Sequence, residues 1–450
     1  MTSSSEHSSD TDYGRNVSSE TAAEGDVSSE TAAEGDASSE TAAGRDVSGD
    51  CTTDGLASSK TVADGKDSGR QAPDWSGSSD LSVLIVTSHR PEEVLTPAAA
   101  MDADTAVIRI DGDDGPAKRG IEAARQTRHF LRTREPDVIL LDCFEAIGAP
   151  VVEMAVQYDT PVVARLVADI WRKMETEALG PAHEQWNPLA YAHHRLGYQL
   201  NEFIFNRVDG FVVVSTELAD VVSLRTGCPR ERVGVVPVPV TADGNNSRDD
   251  TPAEEFGITT ERVLLTVTNL KFRAKFDGIE TILSEVGPVL RSNPDLSYVI
   301  AGGGQYHSDV LRAIDERFGE SDLRSRIHAP GYVDNVECLY SLAELFVYVS
   351  YLDGYPNAVL EAQAAGLPTI ANDAHGMRDQ ITDGETGFLV DADRPGALRE
   401  RVAYLLANPE ERGRLGSQAR QRVSQENSPG VVGRQLWTVL EDVLATFESS

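Results

Sequence analysis

The stretch Tyr351–Gly366, YLDGYPNAVLEAQAAG, reads as a strand end, a glycine turn and a helix start. Ahead of it, the apolar run Leu345 to Val349 is short enough for a buried strand, and Asp353-Gly354 breaks that run. Pro356 pre-sets φ at or beside the first helical turn. Ala358, Leu360, Glu361, Ala362, Ala364 and Ala365 then favour helix until Gly366 and Pro368 stop it. A loop that runs into a helix N-terminus is an anion site. The N–H groups of Asn357, Ala358 and Val359 are expected to point into the loop around Gly354, where the helix dipole favours negative charge by about 0.3–1 kcal/mol. Two carboxylates flank this cradle, Asp353 before the helix and Glu361 one turn inside it.

Carboxylates beside a phosphate cradle repel the phosphate unless they accept hydrogen bonds from hydroxyl groups on the same ligand. A nucleotide-sugar has those hydroxyls. Working outward, ERVLLTVTNL (261–270), LSYVIAG (296–302), RIHAP (326–330) and LFVYVS (345–350) read as strands alternating with helices, which makes a Rossmann-like unit. After the first of these strands, Lys271, Arg273 and Lys275 stand with no acid among them. The chain has only six lysines, so two within five residues mark this loop as a place where a diphosphate would be reached. Gly302, Gly303 and Gly304 end another strand, as a tight turn with or without a ligand requires.

These residues resemble the retaining glycosyltransferases of the GT-B fold, family 4 (glycosyl transferases group 1), whose pattern is Glu-x7-Glu, a small-residue helix and Gly-Leu-Pro. Here the pair is Asp353-x7-Glu361, followed by AQAAGLPTIANDAHGMRDQITDGETGFLV. The resemblance implies that Asp353 contacts the donor sugar and Glu361 the ribose hydroxyls. It places Lys275 on the diphosphate, with Arg273 supplying the guanidinium that Asn269 lacks. It implies that Gly303 lies at the donor cleft and that Gly331-Tyr332-Val333 offers backbone groups to the nucleobase. The region of Asp169 would face the acceptor, although Asp169 reads equally well as a helix N-cap. Catalytic candidates are therefore Asp353, Lys275, Arg273 and Asp169. No metal and no cofactor is implied, the nucleotide-sugar being a substrate.

In the other direction, LSVLIVT (81–87), DVILLD (137–142), PVVARL (161–166) and GFVVVS (210–215) are strands that alternate with helices near 117–134, 146–157 and 188–207. The expected division is a disordered acidic decapeptide-repeat tail at 1–78, a Rossmann-like acceptor domain at 79–238, a linker at 239–252, a Rossmann-like donor domain at 253–428, and a C-terminal helix at 429–450 packing back on the first domain. The fold class is α/β, two doubly wound domains facing across a cleft.

Charge narrows the function. The formal net charge is −33, and residues 1–78 hold 16 acids against 5 bases, so the remainder is acidic too. With Arg supplying all but six basic residues, the composition resembles proteins of halophilic archaea, adapted to molar salt. Nucleic-acid binding is disfavoured, because phosphate affinity needs a basic surface. Cys51, Cys143, Cys228 and Cys338 lack metal-ligand spacing and suit a reduced cytoplasm, and His183, His193 and His194 read as surface or core residues. No apolar run is long enough to span a bilayer, which leaves peripheral contact at the inner membrane face as the only membrane association. The expected partners are a nucleotide-sugar and a glycan or lipid-linked acceptor. The rival readings are a non-catalytic nucleotide-sugar-binding or scaffold protein, a nucleotide-sugar epimerase or a glycan phosphorylase.

Overall fold

The computed structural model describes residues 81–448 apart from 89–91, 102, 111, 113, 180–186 and 241–252. The expected repeat tail, most of the expected linker and His183 lie outside those residues.

Two six-stranded parallel sheets carry the chain. The first is built from β1 (Ser82–Thr87), α1 (Glu92–Ala99), β2 (Asp104–Arg109), α2 (Pro116–Thr133), β3 (Val138–Asp142), α3 (Glu145–Gln157), β4 (Val162–Leu166), α4 (Ile170–Met174), α5 (Pro188–Phe205), β5 (Gly210–Val213), α6 (Thr216–Thr226) and β6 (Val233–Val235). The second is built from β7 (Arg262–Val267), α7 (Arg273–Ser292), β8 (Leu296–Ala301), α8 (His307–Phe318), β9 (Ile327–Gly331), α9 (Glu337–Leu342), β10 (Leu345–Tyr348), α10 (Asn357–Ala364), β11 (Thr369–Asn372), α11 (Met377–Gln380), β12 (Gly387–Val390), α12 (Ala397–Ala407) and α13 (Pro409–Glu426), and α14 (Pro429–Glu448) returns to the first. This is the doubly wound α/β class expected from the sequence.

Strand order is β2-β1-β3-β4-β5-β6 in the first sheet and β12-β11-β10-β7-β8-β9 in the second. Each order reverses once, between β1 and β3 and between β7 and β10. The carboxyl ends at such a reversal leave a crevice, because the connections depart to opposite sides. Buried apolar strands such as Val138–Leu141 and Leu345–Val347 explain why the sheets sit between helix layers.

Four strands escaped the sequence pattern. β2 alternates buried and half-buried residues at a sheet edge, and acids before and after it hide its short apolar centre. β6, β11 and β12 have three or four residues each, too few to show a period. The cations after β7 are also placed differently from the expected loop. A helix begins at Arg273, so Arg273 and Lys275 stand on its first turn. Val240, expected in the linker, donates its N–H to the Asn427 carbonyl at 2.8 Å.

α14 turns Val432, Leu436, Leu440 and Val443, at three- and four-residue steps, into the cluster formed by Leu81, Val83, Ile85 and Leu140 of the first sheet. The last helix of the chain thus completes the core of the first sheet.

Candidate functional site

The reversal in the second sheet joins two segments 78 residues apart, the first turn of α7 and the loop after β10. α7 comes close enough because residue 278 is glycine: a Cβ there would strike the carbonyl oxygen of Val349. Across that contact the Lys275 ammonium bonds to the Asp353 carboxylate, and it donates to the Tyr348 hydroxyl at 2.5 Å. Tyr348 in turn donates to Asp353 Oδ2 at 2.6 Å. Asn372, at the end of β11, steadies the loop by accepting from Ser350 N–H at 3.0 Å and donating to Ser350 C=O at 2.9 Å.

The electrostatics follow from burial. The Lys275 side chain is 4% exposed and Asp353 20%, so neither ion has bulk water as its main partner. Burial pushes the Asp353 carboxyl up, but the Lys275 charge and the hydrogen bonds from Lys275 and Tyr348 overcome it and hold the group below its ordinary value. Burial, and then the Asp353 charge, keep the Tyr348 phenol well above its ordinary value, so it remains a donor.

Sequence reasoning put Lys275 and Arg273 together on a diphosphate, and the structure separates them. Lys275 is a buried ion-pair member. Arg273 is exposed, donates to Asp277 Oδ1 at 2.7 Å on its own helix and lies over the Phe276 ring. Asn269 has a buried Oδ1 that meets no hydrogen-bond partner among the described residues.

The helix cradle is also narrower than expected. Val359 N–H donates to the Pro356 carbonyl at 3.2 Å, so this amide is taken within the first turn. Asn357 and Ala358 N–H meet no acceptor among the described residues. Glu361 lies one turn further on, where its Oε2 accepts from the Tyr340 hydroxyl at 2.8 Å. At the neighbouring turn Gly302 N–H donates to the Gly331 carbonyl at 2.7 Å, and Leu270 N–H to the Gly303 carbonyl at 2.9 Å. The Gly331 carbonyl therefore has a protein partner, while Tyr332 is 77% exposed and Val333 packs into an apolar cluster.

The first domain closes the cleft from the other side. Gly354 abuts Val167, whose carbonyl oxygen a Cβ at 354 would strike. Asp169 caps α4, accepting from Arg172 N–H at 2.9 Å, and lines a cleft pocket with Asp353, Gly354 and His375.

His375 and Glu217 were not foreseen, because the contacts that define them cross between domains. His375 has φ +53°, and Glu217 accepts its N–H at 2.9 Å and lies 2.9 Å from ring Nδ1. Arg172 Nη1 is 3.3 Å from Nε2. Arginine only donates, so Nε2 accepts and Nδ1 carries the proton toward Glu217. Thr216 donates its N–H and hydroxyl to Asp379 at 2.6 and 2.7 Å, and Asn357 Nδ2 donates to Glu93 Oε1 at 3.0 Å.

Behind Glu93 lies a second ion cluster that the sequence pattern also missed. Arg165, 6% exposed, holds Asp142 at 3.0 Å and Glu93 at 3.7 Å, and Thr87 donates to Asp142 at 2.9 Å. Burial pushes the Asp142 carboxyl up, and Arg165 offsets only part of that. Among the described residues no group of three His, Cys, Asp or Glu side chains is placed to hold a metal ion, and no helix is long and apolar enough to cross a membrane.

Two facing doubly wound domains make up the GT-B architecture. Anabaena Alr3699/HepE, whose crystal structure is in complex with UDP-glucose, superposes with a TM-score of 0.60 over 80% of this chain and 99% of its own, at 14% identity. Residues 248–422 match the family model described as Glycosyl transferases group 1. An alpha-D-kanosaminyltransferase of Streptomyces kanamyceticus is 27% identical over 42% of this chain and 48% of its own length. A D-inositol 3-phosphate glycosyltransferase of Corynebacterium glutamicum (strain R) is 28% identical over 48% of this chain and 53% of its own. The chain thus matches about half the length of these curated relatives.

Proposed function

We propose that this chain is a retaining glycosyltransferase of family 4 that moves a hexosyl group from a nucleotide-sugar to an acceptor hydroxyl without a metal ion, in the synthesis of a glycan, glycolipid or surface polysaccharide. The observation that carries this reading is the Lys275–Asp353–Tyr348 cluster at the reversal of the second sheet, beside the Asn357 and Ala358 amides and Glu361. The names of the curated relatives support transfer over epimerisation, phosphorolysis or a scaffold role. The acidic, lysine-poor composition supports work in molar salt in the cytoplasm of a halophile.

An ammonium has three N–H donors. Asp353 and Tyr348 engage two on Lys275, and the third is left for a diphosphate oxygen. As the sugar–phosphate bond breaks, charge grows on that diphosphate, so Lys275 and the α10 amides stabilise the transition state more than the ground state. Glu361 accepts from the ribose hydroxyls and Asp353 from a sugar hydroxyl. The acceptor attacks on the leaving-group face and the departing phosphate takes its proton, so no side chain must serve as base. Asp169 borders the acceptor side, and Tyr332 with the backbone of Val333 borders the base.

Incubation with UDP- and GDP-hexoses in EDTA, with the product anomer read by NMR, tests this reading. Donor turnover with retention is expected. Absence of both turnover and nucleotide binding across the common donors would overturn it.

A further inference from the structure

Two passages of chain cross between the sheets, and both meet at one buried side chain. The first leaves β6 as Val236-Pro237-Val238-Pro239-Val240, where each proline fixes φ and removes a backbone donor. The second is Asn427-Ser428, between α13 and α14. Asn427 is 3% exposed. Its backbone carbonyl accepts from Val240 N–H at 2.8 Å, and its Nδ2 donates to the Val238 carbonyl at 2.9 Å. Nδ2 has two hydrogens, and the other goes to the Tyr355 hydroxyl oxygen at 3.1 Å.

Tyr355 stands two residues after Asp353 and directly before Pro356, the cap of α10, yet its ring packs against the core cluster of the first sheet. Leu360 of α10 and Val423 of α13 enter that same cluster. Gly354, beside Tyr355, abuts the Val167 carbonyl oxygen. The donor loop, although part of the second domain, is therefore backed by the first. The bridges on the cleft side differ in kind. Thr216 with Asp379, Glu217 with His375 and Glu93 with Asn357 are polar pairs at least partly open to water, which can replace them when the domains part. Apolar burial and neutral hydrogen bonds hold the Asn427 side, and molar salt does not screen these.

We propose that Asn427 is the hinge residue between the domains and that, through the Tyr355 hydroxyl, it positions the donor loop, so that the approach of Asp353 to Lys275 follows the domain angle. Lys275 stands on α7 within the second domain, whereas the Asp353 loop leans on Val167 and Tyr355 leans on the first core. Rotation of the first domain about Asn427 moves that loop against α7. A few element-terminal residues commonly absorb such a rotation. Asn427 and Tyr355 act through Asp353 and are positioning residues. The kinetic consequence rests on the transferase reading above; the hinge itself does not.

The test uses the full chain in molar KCl. Tyr355→Phe removes one oxygen and keeps the packed ring, so it probes the hinge even if Asn427→Ala fails to fold. Tyr355→Phe should lower kcat for donor turnover about tenfold, while affinity for UDP or GDP in calorimetry changes less than about threefold. Asn427→Ala should lower kcat at least as far, and the double variant should be no slower than Asn427→Ala, because both remove the same link. Hydrogen exchange in Tyr355→Phe should quicken together in the peptide containing Val240 and in the one containing Val359 and Leu360. An unchanged kcat in Tyr355→Phe, losses that multiply in the double variant, or faster exchange in only one of the two peptides would overturn the proposal. If the wild type turns over no donor, the transferase reading falls and the exchange result alone decides the hinge.

Discussion

A buried cation sits at the strand reversal of each sheet, and the two are surrounded differently. Lys275 meets one carboxylate and a phenol, so its cluster has no net charge and Asp353 is held low. Arg165 meets two carboxylates, and Asp142 stays high despite it. The first arrangement can receive an anion, because a donor of the ammonium is left over. The second carries an excess negative charge, relieved by Thr87 and, across the cleft, by Asn357 on Glu93. One cluster suits ligand chemistry and the other ties the domains together.

The largest effect expected from breaking this contrast is at Lys275. Lys275→Ala leaves Asp353 buried without its cation and should cost about 3–5 kcal/mol of stability. Turnover should fall by roughly two to three powers of ten. Urea denaturation and donor kinetics measure the two, and an unchanged urea midpoint would remove the buried pair from the account. Arg165→Met comes next, at about 3 kcal/mol near pH 8. Its cost should depend on pH, because Asp142 already has a raised folded value. An acid raised on folding loses stability as pH climbs above its unfolded value, and without Arg165 the rise is larger. The gap from wild type should therefore shrink toward pH 5; a gap that stays constant would contradict the assignment.

Glu361→Gln should weaken binding of the nucleotide product by about 1.5–3 kcal/mol in calorimetry, since the ribose hydroxyls lose a charged acceptor. The melting temperature should hardly move. Equal affinity for wild type and variant would remove Glu361 from the ribose. The smallest effect belongs to the interdomain clamp. Glu217 is 37% exposed, so Glu217→Gln should change stability by about 0–1 kcal/mol. Hydrogen exchange around His375 should nevertheless quicken, and an unchanged exchange rate would show that Glu217 does not hold the cleft shut.

The second domain was the more legible half for a physical reason. Asp353, Pro356 and Glu361 lie within nine consecutive residues, so strand end, turn and helix start could be read locally. The basic residues near 273 stood out by composition, yet their division into a buried pair member and an exposed helix residue did not, because Gly278 sets how close α7 comes to β10. Arg165, Glu93 and Asp142 are scattered over three elements, each inside or beside an ordinary run. His375 has no local signal beyond the turn it occupies, and its role appears only when α6 faces it.

By itself the sequence determined the α/β class, the alternation of the longer strands and helices, the loop-to-helix turn at Pro356 and the acidic character of the chain, because these depend on periodicity, turn chemistry and composition within a few residues. Tertiary structure decided which cation meets Asp353, which α10 amides remain open, how Glu217 and Asp379 join the domains, and how both chain crossings meet at Asn427. Those outcomes depend on how close backbones approach and which elements face each other, and a close approach between segments 78 residues apart leaves no local pattern to read.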